Sequence, residues 1–206
     1  MRRESSTVVA LVGDVTSELV AELARSPNVS VARPPAEPAP GSAAAAPTTA
    51  RSSMETAAAA MRQAARKRSM FVLVPADPLA DVAVSWQEMW DPAVTSPGAA
   101  EFESSVAAAL AAWRAKQFEL PDYYLVMAPA HGNLTAPDLY LGPLRAARPR
   151  RVAVAGVADS AAQAAGLLDA LRSLEQGPWW PPLDELLEAA RGFYAGGLAE
   201  TQQLAP

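Results

Sequence analysis

Four short runs of uninterrupted apolar residues punctuate the chain, and each gives way at once to a turn and a polar side chain. They are Thr7–Val12 before Gly13-Asp14, Met70–Val74 before Pro75-Ala76-Asp77, Tyr123–Met127 before a loop holding His131 and Asn133, and Arg151–Ala155 before Gly156 and then Asp159-Ser160. Continuous β-branched runs do not alternate in and out, so they suit strands covered on both faces, as in a parallel sheet between helical layers. Val29–Ala32 supplies a fifth, shorter strand.

The segments between the runs carry helical spacing. Val15, Leu19 and Leu23 recur every fourth residue, with Asp14 or Thr16 as N-cap and Pro27-Asn28 as the stop. Ser52 and Glu55 stand in the capping-box relation at the head of a helix that buries Met54, Ala57 and Met61, and Arg66-Lys67-Arg68 suit its negative end. Residues 78–121 make an unusually long crossover. Val82, Trp86 and Met89 or Trp90 form one stripe there, although Val82–Trp86 also alternates as a strand would. Ser96-Pro97 opens a second helix, with Phe102, Val106, Leu110 and Trp113 along it and Pro121 beyond its end. The extra helix of this crossover is expected either to overhang the sheet or to meet a partner. Ser160 and Gln163 form another capping box, ahead of Ala164, Leu167 and Leu171, and Gly177-Pro178 ends that helix. A last helix carries Leu183, Leu186, Leu187, Ala190 and Phe193 on one face, with Gly196-Gly197 as its expected stop.

These elements predict an α/β fold: a three-layer, doubly wound, mostly parallel five-stranded sheet in the order 2-1-3-4-5, with an added C-terminal helix. Residues 1–177 read as a single α/β domain. Within it, the Pro/Ala/Ser-rich stretch 33–51 has almost nothing to bury and reads as a disordered internal loop. Residues 178–206 read as an aromatic segment and helix that packs on the same domain or on a partner, which allows a homo-oligomer.

Composition narrows the function classes. With 17 Lys and Arg against 22 Asp and Glu, the net charge of −5 argues against a nucleic-acid partner, whose sequence-independent affinity comes from neutralised phosphates. Arg145, Arg148, Arg150 and Arg151 do cluster, and read as a solvated loop before a strand. There is no cysteine, so disulfides and thiolate chemistry are absent. The N-terminal apolar run is too short for a secretory signal, and no run reaches the length of a membrane span. The chain is therefore expected in the cytoplasm, with no membrane partner.

The first strand-to-helix turn holds one glycine, where a dinucleotide fingerprint needs three. A Walker loop and a Gly-x-Ser-x-Gly elbow are also missing. His131 is the only histidine, so a zinc site is not expected and no cofactor is specified. The expected function is a non-enzymatic binding or regulatory domain. It would hold a small ligand at the carboxyl edge of the sheet, through Asp14, Thr16, Asn133, Asp159 and Ser160, or a protein partner through its tryptophan-bearing helices, with Trp179 and Trp180 as anchors. The alternative is a small hydrolase- or transferase-type enzyme, with His131 as acid or base and Asp77 orienting it in the same crevice. For the Trp179-Trp180 pair itself, clamping of the tail onto its own domain is the first reading and anchoring of a partner the second.

Overall fold

The computed structural model describes residues 6–13, 15–32, 53–89, 98–127, 137–155 and 160–203, with side chains at 98, 137, 160, 161 and 194–203 excepted. The apolar runs become strands β1 (Thr7–Val12), β2 (Val29–Val31), β3 (Phe71–Val74), β4 (Tyr123–Met127) and β5 (Val152–Ala155). All neighbouring pairs are parallel. The helices are α1 (Ser17–Leu23), α2 (Ser53–Ala64), α3 (Ala80–Glu88), α4 (Gly98–Arg114), α5 (Pro137–Leu139), α6 (Arg145–Ala147), α7 (Ser160–Arg172) and α8 (Leu183–Gln203). A π-helical turn, Tyr140–Leu144, joins α5 to α6. The helical alternative at Val82–Trp86 is the one formed. Ser52, Trp90 and Ser96-Pro97, and the stretch 33–51, lie outside the described residues.

The strand order differs from the one expected. β3 lies between β2 and β1, giving 2-3-1-4-5. The crossover from β1 to β2 runs one way across the sheet and the later ones run the other way. Both orders therefore send α1 to one face and α2 to α4 to the opposite face, and helix amphipathicity does not distinguish them. What differs is the neighbour of the longest strand. β1 is central here, hydrogen-bonded to β3 on one side and β4 on the other.

Two cores follow from the alternation of strand side chains. On one face Val9, Leu11, Leu73, Leu125 and Met127 meet α1 and α7 through Leu19, Leu23, Leu167 and Leu171. On the other, Ala10, Val72, Val74, Tyr124 and Val126 meet α2, α3 and α4, together with the π turn and α8. The extra helix α3 belongs to this second layer, with Val82, Ala83 and Trp86 buried in it. The apolar stripe of α8 is also spent on its own chain, since Leu183, Leu186, Leu187 and Ala190 are fully buried there. The Trp86 indole donates to the Ala190 carbonyl at 3.2 Å, and Arg191 forms a two-pronged pair with Glu103 of α4. That pairing holds the Glu103 carboxyl below its usual range.

α8 does not stop at Gly196-Gly197 but continues to Gln203. A glycine in a helix costs about 1 kcal/mol and does not forbid it, and the flanking Ala195, Leu198, Ala199 and Glu200 are helix formers. Among the described residues no helix is long and apolar enough to cross a membrane.

Gly13 closes β1 with φ of +98°, and a Cβ built there would lie 2.6 Å from the Met127 carbonyl oxygen. Both the backbone angle and the clash with main chain require glycine. Gly13→Ala should lower unfolding stability by about 1–2 kcal/mol from the backbone angle alone, and by more once β4 is displaced. Chemical denaturation of the two proteins measures it.

Candidate functional site

Asp77 leaves β3 at its carboxyl end and turns inward instead of toward solvent. Its Oδ1 accepts from the Tyr124 hydroxyl at 2.9 Å, and its Oδ2 accepts from the Tyr140 hydroxyl. Tyr124 comes from β4 and Tyr140 from the π turn, where Pro143 lacks the N–H that a regular α-helix would use. The two rings lie 5.1 Å apart, and Trp180 stands edge-on to Tyr124 at 5.7 Å. Burial raises the Asp77 carboxyl from 3.8 to about 6. The two hydroxyls and the Leu79 N–H pull it down, and the charge of Asp81 adds to the rise. Both tyrosines are pushed well above their ordinary value, chiefly by burial and then by the Asp77 charge. An acid with both oxygens bound and 5% exposure is a core tie across β3, β4 and the π turn.

The other expected site residues are distributed as follows. Thr16 caps α1, its hydroxyl accepting the Leu19 N–H at 3.2 Å, so that oxygen serves the helix. Ser160 opens α7, but its side chain is not described. Asp14, His131, Asn133 and Asp159 lie outside the described residues.

A cavity of about 680 Å³ is found at the opposite, amino end of the sheet. Ser6 just ahead of β1, Val8 within it and Asp122 ahead of β4 form its floor. Met61 and Arg62 of α2 and Trp113 of α4 form one wall, with Glu119 and Leu120 beyond. Trp179, Trp180, Pro181 and Pro182 form the other. Asp122 fixes the floor, because its backbone N–H donates to the Val8 carbonyl and its Oδ2 accepts the Val8 N–H, each at 2.8 Å.

The arginines before β5 build the tryptophan wall. Arg151 is not solvated as expected but 4% exposed. It donates from Nε to the Pro178 carbonyl at 3.0 Å, from Nη2 to that of Gly177 at 2.8 Å, and from Nη1 to that of Asp122 at 2.9 Å. Its guanidinium also lies over Tyr123 and Trp179, 5.1 and 4.7 Å from the ring centres. Arg148 donates to the Trp179 carbonyl at 2.6 Å, and Arg150 pairs with Glu175 at 3.0 Å. The buried Trp180 donates to the Pro121 carbonyl at 2.8 Å, while Trp179 stays 44% exposed. The tryptophan pair thus divides its duties: Trp180 clamps the tail, and Trp179 faces the cavity and solvent.

Sequence reading placed Tyr124 only as part of a strand, passed over Tyr140, and did not connect Arg62 or Trp113 with Trp179. No local signal marked the link, because the arginines stand 26 or more residues before the Gly-Pro-Trp-Trp segment, with β5 and α7 between. The chain matches no family model, no curated protein and no solved structure.

Arg151→Lys should cost about 2–4 kcal/mol, because one ammonium does not reach three carbonyls in a fork and leaves buried acceptors unpaired. Urea unfolding monitored by tryptophan emission reads the loss.

The raised Asp77 carboxyl has a defined pH signature. The folded state holds this proton more tightly than the unfolded chain. Its contribution to stability is therefore greatest below about pH 4, is lost as pH rises to about 6, and is constant above. Relative to Asp77→Asn, the native protein should lose on the order of 3 kcal/mol of stability between pH 4 and pH 7. Denaturant titrations of both proteins at the two pH values measure the difference, and equal slopes would contradict it.

Proposed function

We propose that this chain is a non-enzymatic binding domain that engages a protein partner through the aromatic cavity at the amino end of its sheet. The observation that carries this reading is the meeting of Trp113, Trp179 and Trp180 around one concavity of about 680 Å³, a size typical of ligand sites. The tryptophans arrive from two segments far apart in sequence, and Arg151 and Arg148 hold the second segment in place before any ligand arrives. A pre-ordered aromatic wall suits recognition, because little side-chain freedom remains to be lost on binding. The occupied oxygens of Asp77 speak against its use in acid–base chemistry. A net charge of −5 favours a protein over a nucleic acid, and the absence of cysteine accords with a reducing, cytoplasmic setting.

A thermal-shift screen of peptides, aromatic acids, nucleotides, metabolites and divalent metals tests the reading. Peptides or aromatic acids should raise the melting temperature, by the equivalent of about 2.7 kcal/mol at a hundredfold excess over Kd, and Trp179→Ala should abolish the effect. Stabilisation by a nucleotide or metal that Trp179→Ala leaves intact would instead favour the carboxyl-edge site and the enzyme alternative with His131.

A further inference from the structure

We infer that the segment this cavity accepts is a proline-rich peptide flanked by a basic residue, an inference that rests on reading the cavity as the binding site. The hydrogen-bonding character of the lining leads there. Arg62 gives Nη1 to the Gln117 carbonyl at 3.0 Å, and its Nε and Nη2 have no acceptor among the described residues. The indole N–H groups of Trp113 and Trp179 likewise have none among the described residues. On the acceptor side, one oxygen of Asp122 is spent on the Val8 N–H. The cavity therefore offers flat ring faces and spare donors. A proline-rich strand is the complement of such a surface. It presents carbonyl acceptors, has no N–H at its prolines, and packs its rings on aromatic faces. It is also already extended, so it loses little freedom when it docks.

Charge excludes the main competitors. The Arg151 guanidinium already covers one face of Trp179 at 4.7 Å, so a bound ammonium would meet a like charge across the ring. Among the described lining residues, a phosphate would face a single arginine together with Glu119 and Asp122. Glu119 is exposed at the rim with no partner among the described residues, which places an acid where a basic flanking residue would lie.

Fluorescence anisotropy of a labelled octaproline carrying one arginine at its end, titrated with the full chain, tests the inference. Saturable binding is expected. Trp179→Ala should weaken it about tenfold and Arg62→Ala about threefold, while Met70→Ala, an exposed change outside the cavity, should leave it unchanged. Glu119→Arg should weaken the arginine-flanked peptide and spare an unflanked octaproline. Melting curves of each variant establish that it is folded, and the Arg62 and Glu119 variants carry the test should Trp179→Ala fail to fold. Absence of saturation, or binding indifferent to Trp179 and Arg62, overturns the inference. If indole-3-acetate then binds in a Trp179-dependent manner, the cavity remains a binding site and only the peptide assignment falls. If neither probe binds, both readings fall together.

Discussion

One buried guanidinium organises the amino end of this molecule. Arg151 sits in the turn before β5 and finds its three acceptors on two other parts of the chain, at Asp122 and at Gly177-Pro178. A charge removed from water is tolerated only when its donors are satisfied, and here backbone carbonyls and two aromatic faces provide for it in place of a carboxylate. The geometry of a planar fork fixes direction as well as distance, so Gly177 to Trp179 cannot drift relative to β4 and β5. The orientation of Trp179, the descent of Trp180 into the core and the entry angle of α8 all follow from that fixed point.

The Asp77 cluster is a second polar anchor inside the same layer, joined to the first through the contact of Trp180 with Tyr124. Two hydroxyls bound to one carboxylate tie the ends of β3 and β4 to the π turn, a connection that apolar packing alone would leave free to slide. The cost of burying the acid appears in its raised pKa, and the gain is a single register between sheet and helical layer.

Much of the architecture was legible in the chain because buried parallel strands and amphipathic helices write different periods. Thr7–Val12 and Tyr123–Met127 appear as read, and the α8 stripe does so up to Ala190. The order of β1 and β3 was not legible, since both arrangements give every helix the same face. Gly196-Gly197 misled because the cost of glycine in a helix is modest. Arg151 looked like one more charge in a basic run, and nothing local marks an arginine whose acceptors lie about 30 residues away on either side. The cavity was hidden for the same reason: Arg62, Trp113 and Trp179 meet only once the layers have assembled. The carboxyl-edge residues were read from turn chemistry, and Thr16 shows how readily such residues serve as caps.

The tail helix bears on the order in which the molecule can be made. Trp86, Glu103 and Pro121 each bond to the segment 180–191, so the helical layer on that face is not fully covered until that segment has been synthesised. A nascent chain lacking α8 presents Trp86 and the stripe of α4 to its surroundings, and contacts of such sequence separation form late. Folding of this layer is thus coupled to synthesis of α8, and the emerging polypeptide passes through an interval in which the surface that α8 covers is open to chaperones.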